Sequence, residues 1–240
     1  MNDNEVIQGL WIGPELSALE RMSISSFLSN GHEYHLYVYD HVRHVPRGAR
    51  VRDGNEILPS SMIFMYRDFE SYSGFSNFFR YKLLLDRGGW WADTDTVCLK
   101  PFDFREEYVF SSEVIGENRY INSGVIKAPA GSEAMSYAWE VCRSRDPEQL
   151  VWGETGPRLM SETVRKFSLD RYAMPHSVFC PISLPDWEKV LDPERVWAFD
   201  DSTRAIHMWN EAWRRTGRDK NARYHPDCLY ERLRETYPDQ

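Results

Sequence analysis

The chain has no long apolar run. No stretch approaches the ~20 residues that a bilayer-spanning helix needs, so no transmembrane segment is expected. The opening residues, MNDNEVIQGL, are polar and acidic, unlike the basic-then-apolar pattern of a secretory leader. Cysteine is scarce. The four residues Cys98, Cys142, Cys180 and Cys228 are scattered and lack metal-ligand spacing, which excludes a disulfide framework and a thiolate metal site as expectations. A reduced, cytoplasmic protein is the expected setting, with peripheral attachment to the inner face of the membrane as the one membrane association kept open. Positive charge is also in short supply: 29 Lys and Arg face 37 Asp and Glu, a net charge of −8. That excludes nucleic acid as a partner, since it needs a basic footprint. An acidic protein can still hold a nucleotide diphosphate if a metal ion supplies local positive charge.

The chain is rich in aromatics, with 9 Trp, 13 Tyr and 12 Phe. Such side chains fill cores, and they also stack on nucleobases and sugars. A length of 240 residues fits one domain. The most informative stretch is 76–103, SNFFRYKLLLDRGGWWADTDTVCLKPFD. Phe78, Tyr81, Leu84 and Leu85 recur at helical spacing, and Gly88-Gly89 is a helix stop. A short apolar segment then leads into Asp93-Thr94-Asp95. Oxygen ligands of this kind suit Mn²⁺ or Mg²⁺, which commonly retain substrate phosphates in their other positions. Carboxylates one residue apart on a strand point to opposite faces, so both reach one ion only if the chain turns there. Arg80, on an otherwise apolar helix face, needs a partner: a diphosphate, a ribose or a carboxylate.

This stretch resembles the sugar-binding Asp-x-Asp region of glycosyltransferase family 32 and the catalytic core of the large clostridial glucosylating toxins. The shared pattern reads here as Ser76-Asn77-Phe78-Phe79-Arg80-Tyr81, the apolar Leu83-Leu84-Leu85, Gly88-Gly89, Trp90-Trp91-Ala92 and Asp93-Thr94-Asp95. Asn77 departs from it, standing where the pattern has an Asp that touches sugar hydroxyls. The resemblance implies an α/β fold of the GT-A type, a Rossmann-like mixed sheet with helices on both faces. It implies one domain over 1–240: a nucleotide-sugar half at about 1–103, an acceptor and closing half at about 104–217, and a charged C-terminal tail. The implied activity is retaining, metal-dependent transfer of a sugar from a UDP- or GDP-sugar to a glycan, lipid-linked or protein acceptor, as in bacterial polysaccharide or glycoconjugate synthesis. Asp93, Asp95 and Arg80 are the implied catalytic groups, with Ser76 and Asn77 beside them in the donor site.

Residues 6–13 read as a strand ending in Trp11-Ile12-Gly13, 15–30 as an amphipathic helix closed by Gly31, and 34–40 as a second strand ending at Asp40. Together they form a βαβ unit with a parallel pair. By resemblance Trp11 stacks on the base; by its apolar setting it fills the core. The basic run Arg43, Arg47, Arg50 and Arg52 is read as a solvated loop. Within the strands expected over 107–127, Asn122-Ser123-Gly124 resembles the Asn-x-Gly segment that lines the sugar pocket, although a strand kink explains it equally. A helix is expected over 131–145, and Thr155-Gly156-Pro157 is expected to open another, with Thr155 as its cap. The late His207-Met208-Trp209 resembles a His-x-Trp whose loop closes over the donor, with His207 as a third metal ligand and Trp209 covering the sugar or diphosphate. Residues 218–240 read as a charged segment, with a short helix as the element open there, and carry no functional signal.

Two rivals accompany this reading. Asp93-Thr94-Asp95-Thr96-Val97 satisfies the Asp-x-Asp signature of haloacid-dehalogenase-type phosphatases, with Asp200-Asp201 a poor second acidic pair. The other rival is a non-catalytic nucleotide-sugar-binding module.

Overall fold

The computed structural model describes residues 6–67 and 69–238. In chain order its strands are β1 (Val6–Leu10), β2 (Glu33–Val38), β3 (Arg50–Asp53), β4 (Gly89–Ala92), β5 (Thr96–Cys98), β6 (Val109–Ile115), β7 (Asn118–Ala128) and β8 (Ala205–His207). Its α-helices are α1 (Ala18–Ser29), α2 (Ser73–Arg87), α3 (Glu133–Arg143), α4 (Leu159–Lys166), α5 (His176–Phe179), α6 (Asn210–Thr216) and α7 (Leu229–Thr236). Six strands form one mixed sheet in the order β3-β2-β1-β4-β7-β6, and β5 pairs with β8 in a separate ribbon. The pairs β3–β2, β2–β1 and β1–β4 are parallel, whereas β7 runs antiparallel to β4 and to β6.

The expected βαβ unit is present with sharper ends. Ser17 caps α1 and forms a reciprocal capping box with Glu20, so the helix starts at Ala18 and Leu16 packs from outside it. The first strand stops at Leu10 and the second at Val38, which leaves Asp40 exposed on a loop. In the basic segment Arg43 pairs with Glu15 and Arg50 with Glu33, both at the surface; Arg43 and Arg47 lie in the loop, whereas Arg50 and Arg52 lie on the short edge strand β3.

Alternation along β4 divides the core. Trp90 and Ala92 join the cluster that contains α1 and the C-terminal segment; Trp91 joins the cluster built by α2, α3 and α4. The helix α2 buries Phe75, Phe78, Phe79, Leu83 and Leu84 against that second face. Each such side chain contributes about 1.5–3 kcal/mol of burial, far more than helix propensity supplies. Gly88 ends α2 at φ 64°, and a Cβ there would lie 2.4 Å from the Ala130 nitrogen, so both dihedral and space select glycine.

The expected helix opening at Thr155-Gly156-Pro157 needs correction. Thr155 does not cap a helix: Glu154–Arg158 forms a π-helical turn leading into α4, and Thr155 is buried within it. Its hydroxyl oxygen accepts from Asn77 Nδ2 (3.3 Å) and its carbonyl from the Tyr81 hydroxyl (2.8 Å), so α2 fastens the turn from the side. Pro157 consequently sits inside the π turn. The short helix open to the 218–240 segment is present as α7, and among its described residues Cys228, Leu229, Tyr230 and Leu233 are buried in the first core.

Candidate active site

The chain runs from β1 outward through β2 to β3, then returns to the other side of β1 as β4. Reversal of direction opens a crevice at the carboxyl ends of β1 and β4, the place where open α/β sheets bind ligands. A cavity of about 660 Å³ lies there. The ten residues assigned to the donor and metal site from the sequence line it: Trp11, Ser76, Asn77, Arg80, Asp93, Asp95, Asn122, Gly124, His207 and Trp209.

Asp93 follows β4 directly. Its N–H donates to the Gly124 carbonyl (2.8 Å), and its own carbonyl accepts from the Thr96 N–H (2.9 Å). That second bond closes the turn on which a shared ion depends. Asp95 leaves the turn on the opposite strand of the ribbon from His207, since Thr96 pairs with His207 across β5 and β8. The Met208 N–H donates to the Asp95 carbonyl (2.9 Å) and the Asn210 N–H to Asp95 Oδ2 (2.6 Å). His207 Nε2 lies 3.3 Å from the same oxygen. The ligand atoms of Asp93, Asp95 and His207 all fall within 4.8 Å of one another.

Electrostatics separates the two carboxylates. Burial raises the Asp93 carboxyl; Arg80 opposes this, and the charge of Asp95 adds to it. Asp95 is held below the usual range: burial pushes it up, but His207 and the Asn210 N–H outweigh that. His207 is held well above its ordinary value, with burial opposed and overcome by Asp95 and Cys180. Two carboxylates and an imidazole make a mixed oxygen and nitrogen donor set that fits a divalent cation.

Arg80 reaches the site from α2 but is already engaged. Its Nη2 bonds Ser76 Oγ (3.0 Å) and Asp93 Oδ1 (3.0 Å), its Nε bonds the Ser76 carbonyl (3.2 Å), and Nη1 donates to the Ser123 carbonyl. The guanidinium carbon also lies 4.9 Å from the centre of the Trp91 ring, whose Nε1 donates to Asp93 Oδ1 (2.9 Å). Of the partners open to Arg80, the carboxylate is the one found. Ser76, one helical turn earlier, orients it.

The Asn122–Gly124 segment is both a kink and a cavity wall. Phe110 pairs with Ile126, but Ser112 pairs with Ile121, so residues 122–125 of β7 bulge opposite Ser111 alone. Ser111 Oγ pins the bulge, accepting from the Val125 N–H (3.2 Å) and lying within bonding distance of the carbonyls of Asn122 (2.9 Å) and Val125 (3.0 Å). A Cβ on Gly124 would lie 2.7 Å from Asn122 Oδ1 and 3.3 Å from Asp93 Oδ2. Trp209, at φ 56°, rests its ring 4.1 Å from the His207 ring centre and donates from Nε1 to the Ile182 carbonyl (2.9 Å). Trp11 lies half-buried across the cavity with Lys220 Nζ 5.6 Å from its ring centre.

Sequence regions with this order of parts are known. The model described as "Glycosyltransferase sugar-binding region containing DXD motif" matches residues 20–120. The chain carries a glycosyltransferase sugar-binding region, and its likeness to glycosyltransferase family 32 stands. The "Alpha 1,4-glycosyltransferase conserved region" matches residues 148–237 of this glycosyltransferase-like chain. Among curated relatives, the initiation-specific alpha-1,6-mannosyltransferase of Candida albicans is 31% identical over 94 residues, covering 39% of this chain and 24% of its own length. The human lactosylceramide 4-alpha-galactosyltransferase is 26% identical over 150 residues, covering 55% and 40% respectively. The chain thus spans less than half the length of either. The solved structure of PaToxG Glycosyltransferase superposes with a TM-score of 0.51 at 15% identity, covering 68% of this chain and 69% of that one. The fold is of the GT-A type.

Residues the motifs did not single out also line the cavity. They include Glu113 on β6, Lys220 after α6, and Tyr66, Trp152 and Arg215 at the rim. Arg215 stacks on Phe69 and Trp152, 4.2 and 4.3 Å from their ring centres, tying three segments together. Glu113 had one legible signal: Ser111-Ser112-Glu113 is a polar run inside a strand otherwise made of Val109, Phe110, Val114 and Ile115. The Asp200-Asp201 pair lies exposed near Lys100 and Arg204, outside the cavity lining. Among the described residues, no helix is long and apolar enough to cross a membrane.

Proposed function

We propose that this protein transfers a sugar from a nucleotide-sugar, of the UDP or GDP class, to an acceptor hydroxyl on a glycan, lipid or protein in glycoconjugate synthesis, with a divalent cation. The observation that carries the reading is the meeting of Asp93, Asp95 and His207 in one cavity with Trp11, at the point where strand order reverses.

In this reading Trp11 stacks the base. Asp93 and Asp95 would hold the ion, with His207 as third ligand. When bound, such an ion neutralises the departing diphosphate. Lys220, paired with Glu20, and Arg218, paired with Glu188, also line the cavity. Arg80 acts on the donor through Asp93, whose carboxylate it fixes, and Ser76 fixes Arg80. Trp209 packs His207 and excludes water that would hydrolyse the donor. The leaving phosphate takes the acceptor's proton in a front-face attack. We read the transfer as retaining: the matched relatives are named for α-linked products, and an α-linked donor that gave an α-linked product would keep its configuration.

The phosphatase alternative needs Asp93 as a free nucleophile on the first strand of its domain. Here Oδ1 of Asp93 is held by Arg80 and Trp91, and the strand before it is the fourth.

The test is thermal unfolding of the purified protein with UDP, GDP and their sugars, each with and without Mn²⁺, followed by donor turnover. Ligand binding to the native state raises the midpoint by mass action. The expected result is a shift with one nucleotide that requires Mn²⁺ and is lost in Asp95→Ala and His207→Ala. Absence of any nucleotide response, with Mg²⁺-dependent phosphatase activity lost in Asp93→Asn, would overturn the reading.

A further inference from the structure

Strand order lays the cavity out along a line. Trp11 leaves β1, Asp93 leaves β4, Asn122 to Gly124 sit on β7, and Glu113 sits on β6, in the spatial order β1-β4-β7-β6. A nucleotide-sugar with its base at Trp11 and its diphosphate at Asp93, Asp95 and His207 therefore directs its sugar toward β7 and β6. The group at that end is Glu113, a carboxylate only 5% exposed in the cavity wall.

Glu113 is short of partners. A carboxylate offers about four acceptor positions. Among the described residues it receives one side-chain hydrogen bond, from Asn122 Nδ2 to Oε1 (3.2 Å), and no ion pair with Lys, Arg or His. Asn122 in turn spends its Oδ1 on the Gly124 N–H (2.6 Å). The asparagine thus holds the bulge and steers the glutamate, with one amide hydrogen left over. Glu113 lies outside the group of ligand atoms formed by Asp93, Asp95 and His207. A buried carboxylate with a single partner is costly unless a ligand completes it. An anionic phosphate would be repelled; a hydroxyl-bearing ring supplies the missing donors.

The geometry points to Glu113 as a specificity-determining residue that accepts hydrogen bonds from hydroxyls of the transferred sugar. This rests on the nucleotide-sugar reading of the same cavity. Asn122 is a positioning residue for it, so the Asn-x-Gly segment shapes the sugar end of the pocket from behind Glu113.

The experiment is calorimetric titration of wild type, Glu113→Gln and Glu113→Asp in Mn²⁺ with UDP, GDP, UDP-glucose, UDP-galactose and GDP-mannose, alongside turnover of the preferred donor. Glu113→Gln keeps the shape and the bond from Asn122. It is expected to bind the bare nucleoside diphosphate within about twofold of wild type, and to lose about tenfold or more in nucleotide-sugar affinity and turnover, the scale of a lost hydrogen bond to a charged group. Glu113→Asp is expected to shift the preference among the sugars. Equal loss for diphosphate and nucleotide-sugar, or no loss for either, overturns the inference while leaving the donor reading intact. Failure of wild type to bind any of the five overturns both.

Discussion

Arg80→Met isolates what the Arg80–Asp93 pair does for the fold. The substitution keeps an apolar stem against Trp91 and removes the charge and every donor. The Arg80 side chain is 4% exposed and that of Asp93 24% exposed, the latter facing the cavity. Breaking a fully buried pair costs about 3–5 kcal/mol. Asp93 regains some water through the cavity, which places the ionic part near ~2–3 kcal/mol. The Ser123 carbonyl loses its Arg80 donor, worth about 1 kcal/mol. The total is about 3–4 kcal/mol. For 240 residues the unfolding entropy is roughly 0.5 kcal/mol per degree, so Tm should fall by about 6–8 °C. Asp93→Asn alone should cost less, because the amide still accepts from Arg80 and Trp91. The double variant should fall short of the sum of the singles by about 2 kcal/mol, the coupling expected of contacting charges. Circular dichroism melts of the four proteins in a chelator measure all of this. A midpoint for Arg80→Met within about 1 °C of wild type, or strict additivity in the double variant, would refute the reasoning.

Gly124→Ala places its Cβ 2.7 Å from Asn122 Oδ1 and 3.3 Å from Asp93 Oδ2; it should weaken Mn²⁺ binding and donor turnover by about tenfold or more while lowering stability by about 1–3 kcal/mol, read by titration calorimetry and thermal melts. Glu231 is 3% exposed and accepts from Arg223, Arg234 and the Tyr224 N–H. Burial raises its carboxyl, but these partners outweigh that and hold it below its ordinary value. The stability it contributes is fully present above its unfolded pKa of about 4.3 and lost as pH falls through the lower native value, so the stability gap between wild type and Glu231→Gln should close on acidification below pH ~4. A gap independent of pH would contradict the assignment.

What the sequence disclosed was local. The βαβ unit, the α2 pattern, the Gly88-Gly89 stop and the Asp-x-Asp are each written within a few consecutive residues, and each appears where those residues dictate. Long-range partnerships were not legible. Nothing near Arg80 in the chain names Ser123 as its acceptor, and nothing near Thr155 shows that Asn77 and Tyr81 would claim it and turn a cap into a π turn. The bulge at 122–125 depends on a serine from another strand. Lys220 looked like one more charge in a charged tail, yet it bonds Glu20 and Asn210 beneath Trp11. Side chains facing a cavity are set by neighbours remote in sequence, so motif spacing finds the centre of the site and misses its walls.

The small ribbon of β5 and β8 has a consequence for synthesis on the ribosome. Asp93 and Asp95 emerge first, and the imidazole beside them arrives about 110 residues later, on a strand packed in the same core as α6 and α7. All six strands of the main sheet are written before residue 129, whereas the third donor of the candidate ion site is not. A product that stops before residue 205 would hold both aspartates and lack the third donor, His207.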